Sequence, residues 1–179
     1  MADAVIVAAA RTPIGKAYRG AFNDLGAPSM ASHAVKAAVA RAGVDPGEIE
    51  DCIFGAALQQ GTQGINLGRQ VALASGLPVT VSGMTIDRQC SSGLMSIATG
   101  AGQIVMDGMS MLVAGGCESI SLVQNDHMNV HKMVDPLATA NHAVPGRPDP
   151  DQHAQVTASA RGGRQAVCRT AGRRHRRHF

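Results

Sequence analysis

Among the side chains of this sequence able to act as nucleophiles, four cysteines lie far apart, at positions 52, 90, 117 and 168. None forms a CxxC pair, so their spacing indicates neither a zinc site nor a disulfide framework, and it suits a reducing, cytoplasmic setting. Cys90 differs from the others in its surroundings. The apolar run Val79 to Ile86 predicts a strand just before it, and a long stretch of helical periodicity starts at it. A cysteine placed where a strand feeds a helix meets unpaired backbone N–H groups and the positive end of the helix dipole, which favour an anionic sulfur. The thiolate is the nucleophilic form, so this position suits attack on a thioester or similar carbonyl. Ser91, Ser92 and Gly93 keep the helix entrance small and polar, and the Cys90 N–H is a candidate donor to a developing oxyanion. Against this stands the ordinary role of cysteine as a small buried hydrophobe, which is the reading for Cys52 in a predicted strand and for Cys117 in a glycine-rich turn. No motif makes His127 or His131 a base.

The elements that must position Cys90 alternate. A strand over Ala4 to Ala9 is followed by a Pro13/Gly15 turn and a helix from near Ser29, with Ala31, Ala34, Val35, Ala38, Val39 and Ala42 on one stripe and Gly43 at its end. Asp45-Pro46 offers a cap and a first-turn proline for a short helical turn, with Glu48 placed for a reciprocal cap. Cys52 to Leu58 then reads as a buried strand, Asn66 to Ser75 as a helix closed by Gly76-Leu77-Pro78, and Ser110 to Ala114 as a fourth strand after the Cys90 helix. Strand and helix in alternation predict an α/β fold with a mostly parallel sheet. No charged residue occurs between Cys90 and Met106, where Leu94, Ile97, Ala98, Ala101, Ile104 and Val105 form an apolar stripe. A helix without a polar face is expected to be buried all round, between sheets, and close packing must offset its three glycines, which cost about 1 kcal/mol each relative to Ala.

The 179 residues suffice for one substantial core. Phe22, Phe54, Phe179 and Tyr18 are the only aromatic residues, too few for stacking on nucleic-acid bases. No run of 18 apolar residues exists, which excludes a membrane-spanning helix, and the N-terminus lacks a signal-peptide pattern. The net charge of +3 hides two unlike parts: residues 1–137 carry 8 Lys or Arg against 11 Asp or Glu, a net of −3, and residues 138–179 carry 8 Arg against 2 Asp, a net of +6. Residues 138–179 contain no Leu, Ile, Met or Tyr, so they cannot bury enough apolar area to offset their ordering entropy and are expected to be disordered. Read as a tether for RNA or an anionic surface, the run Arg173-Arg174-His175-Arg176-Arg177-His178 has no aromatic partners and is more simply a solvated segment.

Four segments in order, Ala9-Ala10-Arg11-Thr12-Pro13-Ile14-Gly15, Gly68-Arg69-Gln70-Val71-Ala72, Asp87-Arg88-Gln89-Cys90-Ser91-Ser92-Gly93-Leu94 and Gly115-Gly116-Cys117-Glu118-Ser119, closely resemble the N-terminal half of thiolases, the acetyl-CoA acetyltransferase and 3-ketoacyl-CoA thiolase family. The resemblance covers residues 3 to 137, divided into a thiolase N-terminal domain at 1–119 and the start of the loop region at 120–137. It implies half of a five-layered α-β-α-β-α fold, with the Cys90 helix in the central layer. It implies that Cys90 becomes acylated in reversible Claisen condensation or thiolysis of 3-ketoacyl-CoA, as in fatty acid β-oxidation, with coenzyme A thioesters as substrates and no metal or redox cofactor. Homo-oligomers are expected, and surfaces that a second half covers in such enzymes would promote self-association. Asp87 departs from the small uncharged residue common in the family at this place. The Gly-His-Pro and Cys-x-Gly motifs that supply the activating histidine and the second cysteine do not occur in these residues, nor does Asn-Glu-Ala-Phe, and Cys168 matches neither motif. The expectation is therefore a truncated thiolase, inactive alone, with a tail from near Asn141 to Gly146 onward that reads as out-of-frame translation; the contrasting expectation is a noncatalytic fragment or tail-tethered binding module.

Overall fold

The expected alternation is present in a computed structural model of the chain, which describes residues 3–133 and the strand at 167–172. Strand β1 (Ile6–Arg11) leads through a long loop to helix α1 (Ala27–Ala42), which ends at Gly43 in the left-handed conformation. A 3-10 turn at Pro46–Glu48 follows, and the Asp45 side chain caps it by accepting the Gly47 N–H. Strand β2 (Asp51–Gly55) and helix α2 (Leu67–Ala74) come next. Strand β3 (Ser82–Ile86), helix α3 (Ser92–Met106), strand β4 (Met111–Gly116) and a short helical turn α4 (Ile120–Val123) complete the first 133 residues.

Element boundaries differ from the periodicity where side chains take up backbone groups. Strand β2 stops at Gly55, short of Leu58, because the Ala57 N–H goes to the Glu118 carboxylate and the Leu58 carbonyl to Gln63. Strand β3 starts at Ser82 rather than Val79, since the Arg69 guanidinium holds the Val79 and Val81 carbonyls. Side-chain caps of this kind compete with the ladder for the same groups.

The sheet has the order β1-β5-β4-β2-β3, where β5 is Val167–Gly172. Strand β2 pairs parallel with β3 and β4, while β5 pairs antiparallel with both β1 and β4. Four of the five strands therefore run the same way, as a mostly parallel sheet requires, and β5 opposes them. Residues 167–172, within the segment expected to be disordered, form strand β5. The edges of β1 and β4 carry unpaired N–H and C=O groups, and a strand need not be apolar to satisfy them. The rest of that segment, including the proposed reading-frame change at 141–146 and the run 173–178, lies outside the described residues.

Alternating residues of β2 and β4 face opposite sides of the sheet. Cys52, Phe54, Met111 and Val113 pack with α1 and α2 in one core, and Ile53, Leu112 and Ala114 pack with Ile104 of α3 in another. Helix α3 is not buried all round. Ser92, Ser96, Gly100 and Ile104 form its buried side, whereas Leu94 is 70% exposed and Val105 44%. The expected apolar stripe is thus split: Ile104 packs on the sheet and Leu94, Ala98 and Val105 face outward. No second sheet layer among the described residues covers them. Nor is any helix of the described residues long and apolar enough to cross a membrane.

Candidate active site

Cys90 lies two residues before α3 rather than at its first position, in the turn that joins the end of β3 to the helix. Its side chain belongs to an exposed residue, in contrast to Cys52 and Cys117, which are buried. Burial pushes the thiols of Cys52 and Cys117 far up, and the neighbouring carboxylates Asp51 and Glu118 add to the effect, so neither supplies a thiolate. Cys117 donates weakly to the Ala27 carbonyl and acts as packing. Cys168 falls within β5.

The turn around Cys90 is held by its neighbours. Asp87 accepts the Gln89 N–H at 2.7 Å, which gives the departure from the family's small residue a local function. Ser92 accepts the Arg88 N–H at 2.8 Å and donates to the Gln89 carbonyl at 2.6 Å, and Ser91 donates to the Arg88 carbonyl at 2.8 Å. These bonds hold Gln89 at φ 50°, a left-handed conformation costly for a residue with a side chain. The small polar entrance expected from Ser91 and Ser92 is therefore a lattice of hydrogen bonds that sets where Cys90 points.

The helix behind this turn sits unusually close to the sheet. A Cβ on Gly55, the last residue of β2, would collide with the Ser92 backbone, and one on Gly116, the last of β4, would lie 2.8 Å from the Gly93 Cα. Side chains at either place would lift the start of α3 and Cys90 with it. Helix α2 is seated by the same device, since a Cβ on Gly68 would strike the Met84 and Cys52 carbonyls. Two of the quoted motifs, Gly68-Arg69 and Gly115-Gly116, are thus requirements of helix-on-sheet contact.

Cys90 lies on one of the loops at the carboxyl ends of the co-directional strands, the end of the sheet where open α/β folds place their ligands. Each of the first three loops carries one non-glycine residue with positive φ: Tyr18 at 64°, Ile65 at 62° and Gln89 at 50°. Hydrogen bonds link the loops. Tyr18 receives an oxygen of Ser121 on its N–H and donates its hydroxyl to the Gln124 carbonyl, both at 2.9 Å. Gln63 is fully buried, donates to the Leu58 carbonyl and to Glu118, and accepts the Ser119 N–H. Glu118 also accepts the Ala57 N–H at 2.8 Å. Burial raises the Glu118 carboxyl above its ordinary range, against hydrogen bonds from Gln63, Ala57 and Leu58, with Asp87 adding a smaller upward push. The sequence places Glu118 in a quoted motif but gives it no contact, and it gives Gln63 no role; the bond between them appears only in the fold.

His127 and His131 are exposed on the segment after α4, their backbone N–H groups donating to the side chains of Asn125 and Asn129. Nothing in these contacts brings either imidazole to Cys90. Among the described residues no group of three His, Cys, Asp or Glu side chains could hold a metal ion.

Comparison with known proteins places this arrangement. The family model described as "Thiolase, N-terminal domain" matches residues 4–165, beyond residue 137, where the resemblance read from the sequence ends. A 3-ketoacyl-CoA thiolase of Bacillus subtilis (strain 168) is 42% identical over 123 residues, which are 69% of this chain and 32% of that protein. Its counterpart in Saccharophagus degradans is 34% identical over 143 residues, 79% of this chain and 35% of that one. The crystal structure of the Bacillus anthracis acetyl-CoA acetyltransferase superposes with a TM-score of 0.63 at 41% identity, over 66% of this chain and 30% of that one. The chain therefore spans about a third of the length of the relatives it matches.

Proposed function

Because the chain belongs to the thiolase family, we propose that it carries the nucleophile of an acyltransferase acting on coenzyme A thioesters, with Cys90 as the residue that becomes acylated. The observation that carries this reading is the exposed cysteine in a strained, hydrogen-bonded turn at the amide end of a helix seated directly on the sheet. The Cys90 thiolate attacks the thioester carbonyl, a C–S bond forms, and the tetrahedral oxyanion draws on backbone N–H groups at the helix entrance. Collapse breaks the bond to coenzyme A, whose sulfur leaves and takes up a proton. An acyl-enzyme remains at Cys90. Transfer of that acyl group, to coenzyme A in thiolysis or to a second acetyl-CoA in condensation, calls for an acid/base that the described residues do not bring to Cys90. Acylation is thus assigned to this chain, and turnover to a protein that also has the other two-thirds of its relatives. Metal and redox cofactors have no role in this reading.

The test is incubation of the full chain with acetyl-CoA followed by peptide mass spectrometry. An acetyl group on the Cys90 peptide, absent from Cys90→Ser, is expected. No adduct, or an adduct that survives Cys90→Ser, defeats the assignment, and sustained coenzyme A release by this chain alone defeats the division between acylation and turnover.

A further inference from the structure

Past the last paired residues of β2 and β4, Gly55 and Gly116, two side chains take over the ladder. The Cys117 N–H still donates to the Gly55 carbonyl at 3.0 Å. In a parallel pair the next bonds run from the Ala57 N–H to the Cys117 carbonyl and from the Ser119 N–H to the Ala57 carbonyl. Here the Ala57 N–H goes instead to the Glu118 carboxylate at 2.8 Å, and the Ser119 N–H goes to the Gln63 side-chain oxygen. Gln63 closes the bridge by donating its side-chain nitrogen to the other Glu118 oxygen at 2.6 Å and to the Leu58 carbonyl at 2.8 Å. Gln63 is fully buried and Glu118 half-buried. Enclosing an amide and a carboxyl is a costly way to end a ladder that backbone groups could have continued. The pair also stands at a particular place. Gly55 and Gly116 are the residues on which α3 rests, a Cβ on the first meeting the Ser92 backbone and one on the second the Gly93 Cα. Ser92 in turn holds the Arg88 N–H and the Gln89 carbonyl of the Cys90 turn.

We propose that Glu118 and Gln63 are positioning residues for Cys90: their bridge fixes the spacing of the Gly55 and Gly116 backbones and, through Ser92 and Gly93, the direction in which the Cys90 sulfur is presented. They act through the backbone and not at the reacting atoms, as a supporting shell holds a functional group to within a fraction of an ångström. The inference deepens the reading of Cys90 as the nucleophile and rests on it.

Two readouts on the full chain let the two fail separately: alkylation of Cys90 by iodoacetamide needs no acyl group, and acetylation by acetyl-CoA does. Both are followed on the Cys90 peptide by mass spectrometry. Glu118→Gln sets donor against donor within the bridge and is expected to slow alkylation at least about threefold, because a misaimed sulfur attacks less readily. Combining Gln63→Glu with Glu118→Gln exchanges the two groups. The Ser119 and Ala57 N–H groups again meet acceptors, the two side chains again bond each other, and only the Leu58 carbonyl loses its donor, so the rate is expected to return to within about twofold of the parent's. Ser75→Ala removes a buried hydrogen bond to the Val71 carbonyl at the end of α2 and leaves the rate unchanged, which separates lost stability from lost position. Where circular dichroism shows that Glu118→Gln does not hold its fold, Glu118→Asp, too short to reach Ala57 and Gln63 together, is read by the same criterion. A Glu118 variant alkylated at the parental rate, a paired exchange as slow as Glu118→Gln, or a Ser75→Ala variant equally slow would each overturn the proposal. A parent that is alkylated but takes no acetyl group defeats the acylation reading, and the alkylation rates still decide the positioning.

Discussion

The two faces of the sheet are built differently. On the side of α1 and α2, β2 and β4 contribute Cys52, Phe54, Met111 and Val113 to a core of 20 buried residues; on the side of α3 the corresponding core has four. Since stabilisation follows apolar area removed from water, the first face holds the chain folded. The second face does something else. Its helix approaches the strands through Gly55, Gly93 and Gly116, gains little apolar burial by doing so, and places the Cys90 turn at the strand ends. One face supplies stability and the other supplies position, and the same two strands serve both because their side chains alternate.

The sharpest way to break that division is to remove a large side chain from the closed face. Phe54 is fully buried among α1 and α2. Phe54→Ala is expected to cost about 3–5 kcal/mol in urea-induced unfolding, the range for a buried aromatic ring replaced by a cavity. A loss under about 1 kcal/mol would mean that this face does not carry the fold. The neighbouring residue tests the other face. Gly55→Ala adds a single methyl that must push against the Ser92 backbone rather than a flexible side chain, so a cost of about 1–3 kcal/mol is expected from overpacking. Its signature is local: the rate of Cys90 alkylation by iodoacetamide should change in Gly55→Ala under conditions where the chain remains folded, and should not change in Phe54→Ala. Equal alkylation rates in all three proteins would dissolve the distinction between the faces.

How much of this was legible in the sequence follows from the range of the forces involved. Caps and periodicities act within a few residues, and Asn66 accepting the Arg69 N–H, Gly43 ending α1 and the Asp45 turn all lie where local pattern places them. The strand ends at Gly55 and Ser82 did not, because Glu118 and Arg69 reach them from 10 to 61 residues away. Periodicity also marked α3 as apolar on every side but could not tell which side the sheet would take. The sheet took the side with Ser92, Ser96 and Gly100, since close approach needs small residues more than it needs apolar ones. The place of Cys90 between a strand and a helix was readable from the sequence; the contact of Gln63 with Glu118 was not, since neither chemistry nor spacing links residues that meet only in the fold.

That pair offers the last and smallest test, at the rim where the two faces meet. In the folded chain both Glu118 oxygens accept hydrogen bonds, one from Gln63 and one from the Ala57 N–H. Glu118→Gln keeps the shape but turns one acceptor into a donor, so it must face either an amide N–H or the Gln63 side-chain nitrogen, donor against donor. One lost hydrogen bond of this kind is expected to cost about 1 kcal/mol. The pH dependence separates this effect from a general weakening. Burial raises the Glu118 carboxyl in the folded chain above its ordinary value, so the folded state resists an ionisation that the unfolded state undergoes freely. Glu118's contribution is accordingly complete below the ordinary carboxylate range, about 4.3 for glutamate, and is lost as pH rises from there through the raised folded value. The glutamine variant has no proton to lose. The stability difference between parent and variant should therefore be largest at acid pH and shrink as pH climbs through that window, as measured by urea midpoints at a series of pH values. A difference that stays constant with pH would mean that Glu118 is ionised as readily in the fold as out of it, and that its contacts to Gln63 and Ala57 compensate its burial in full.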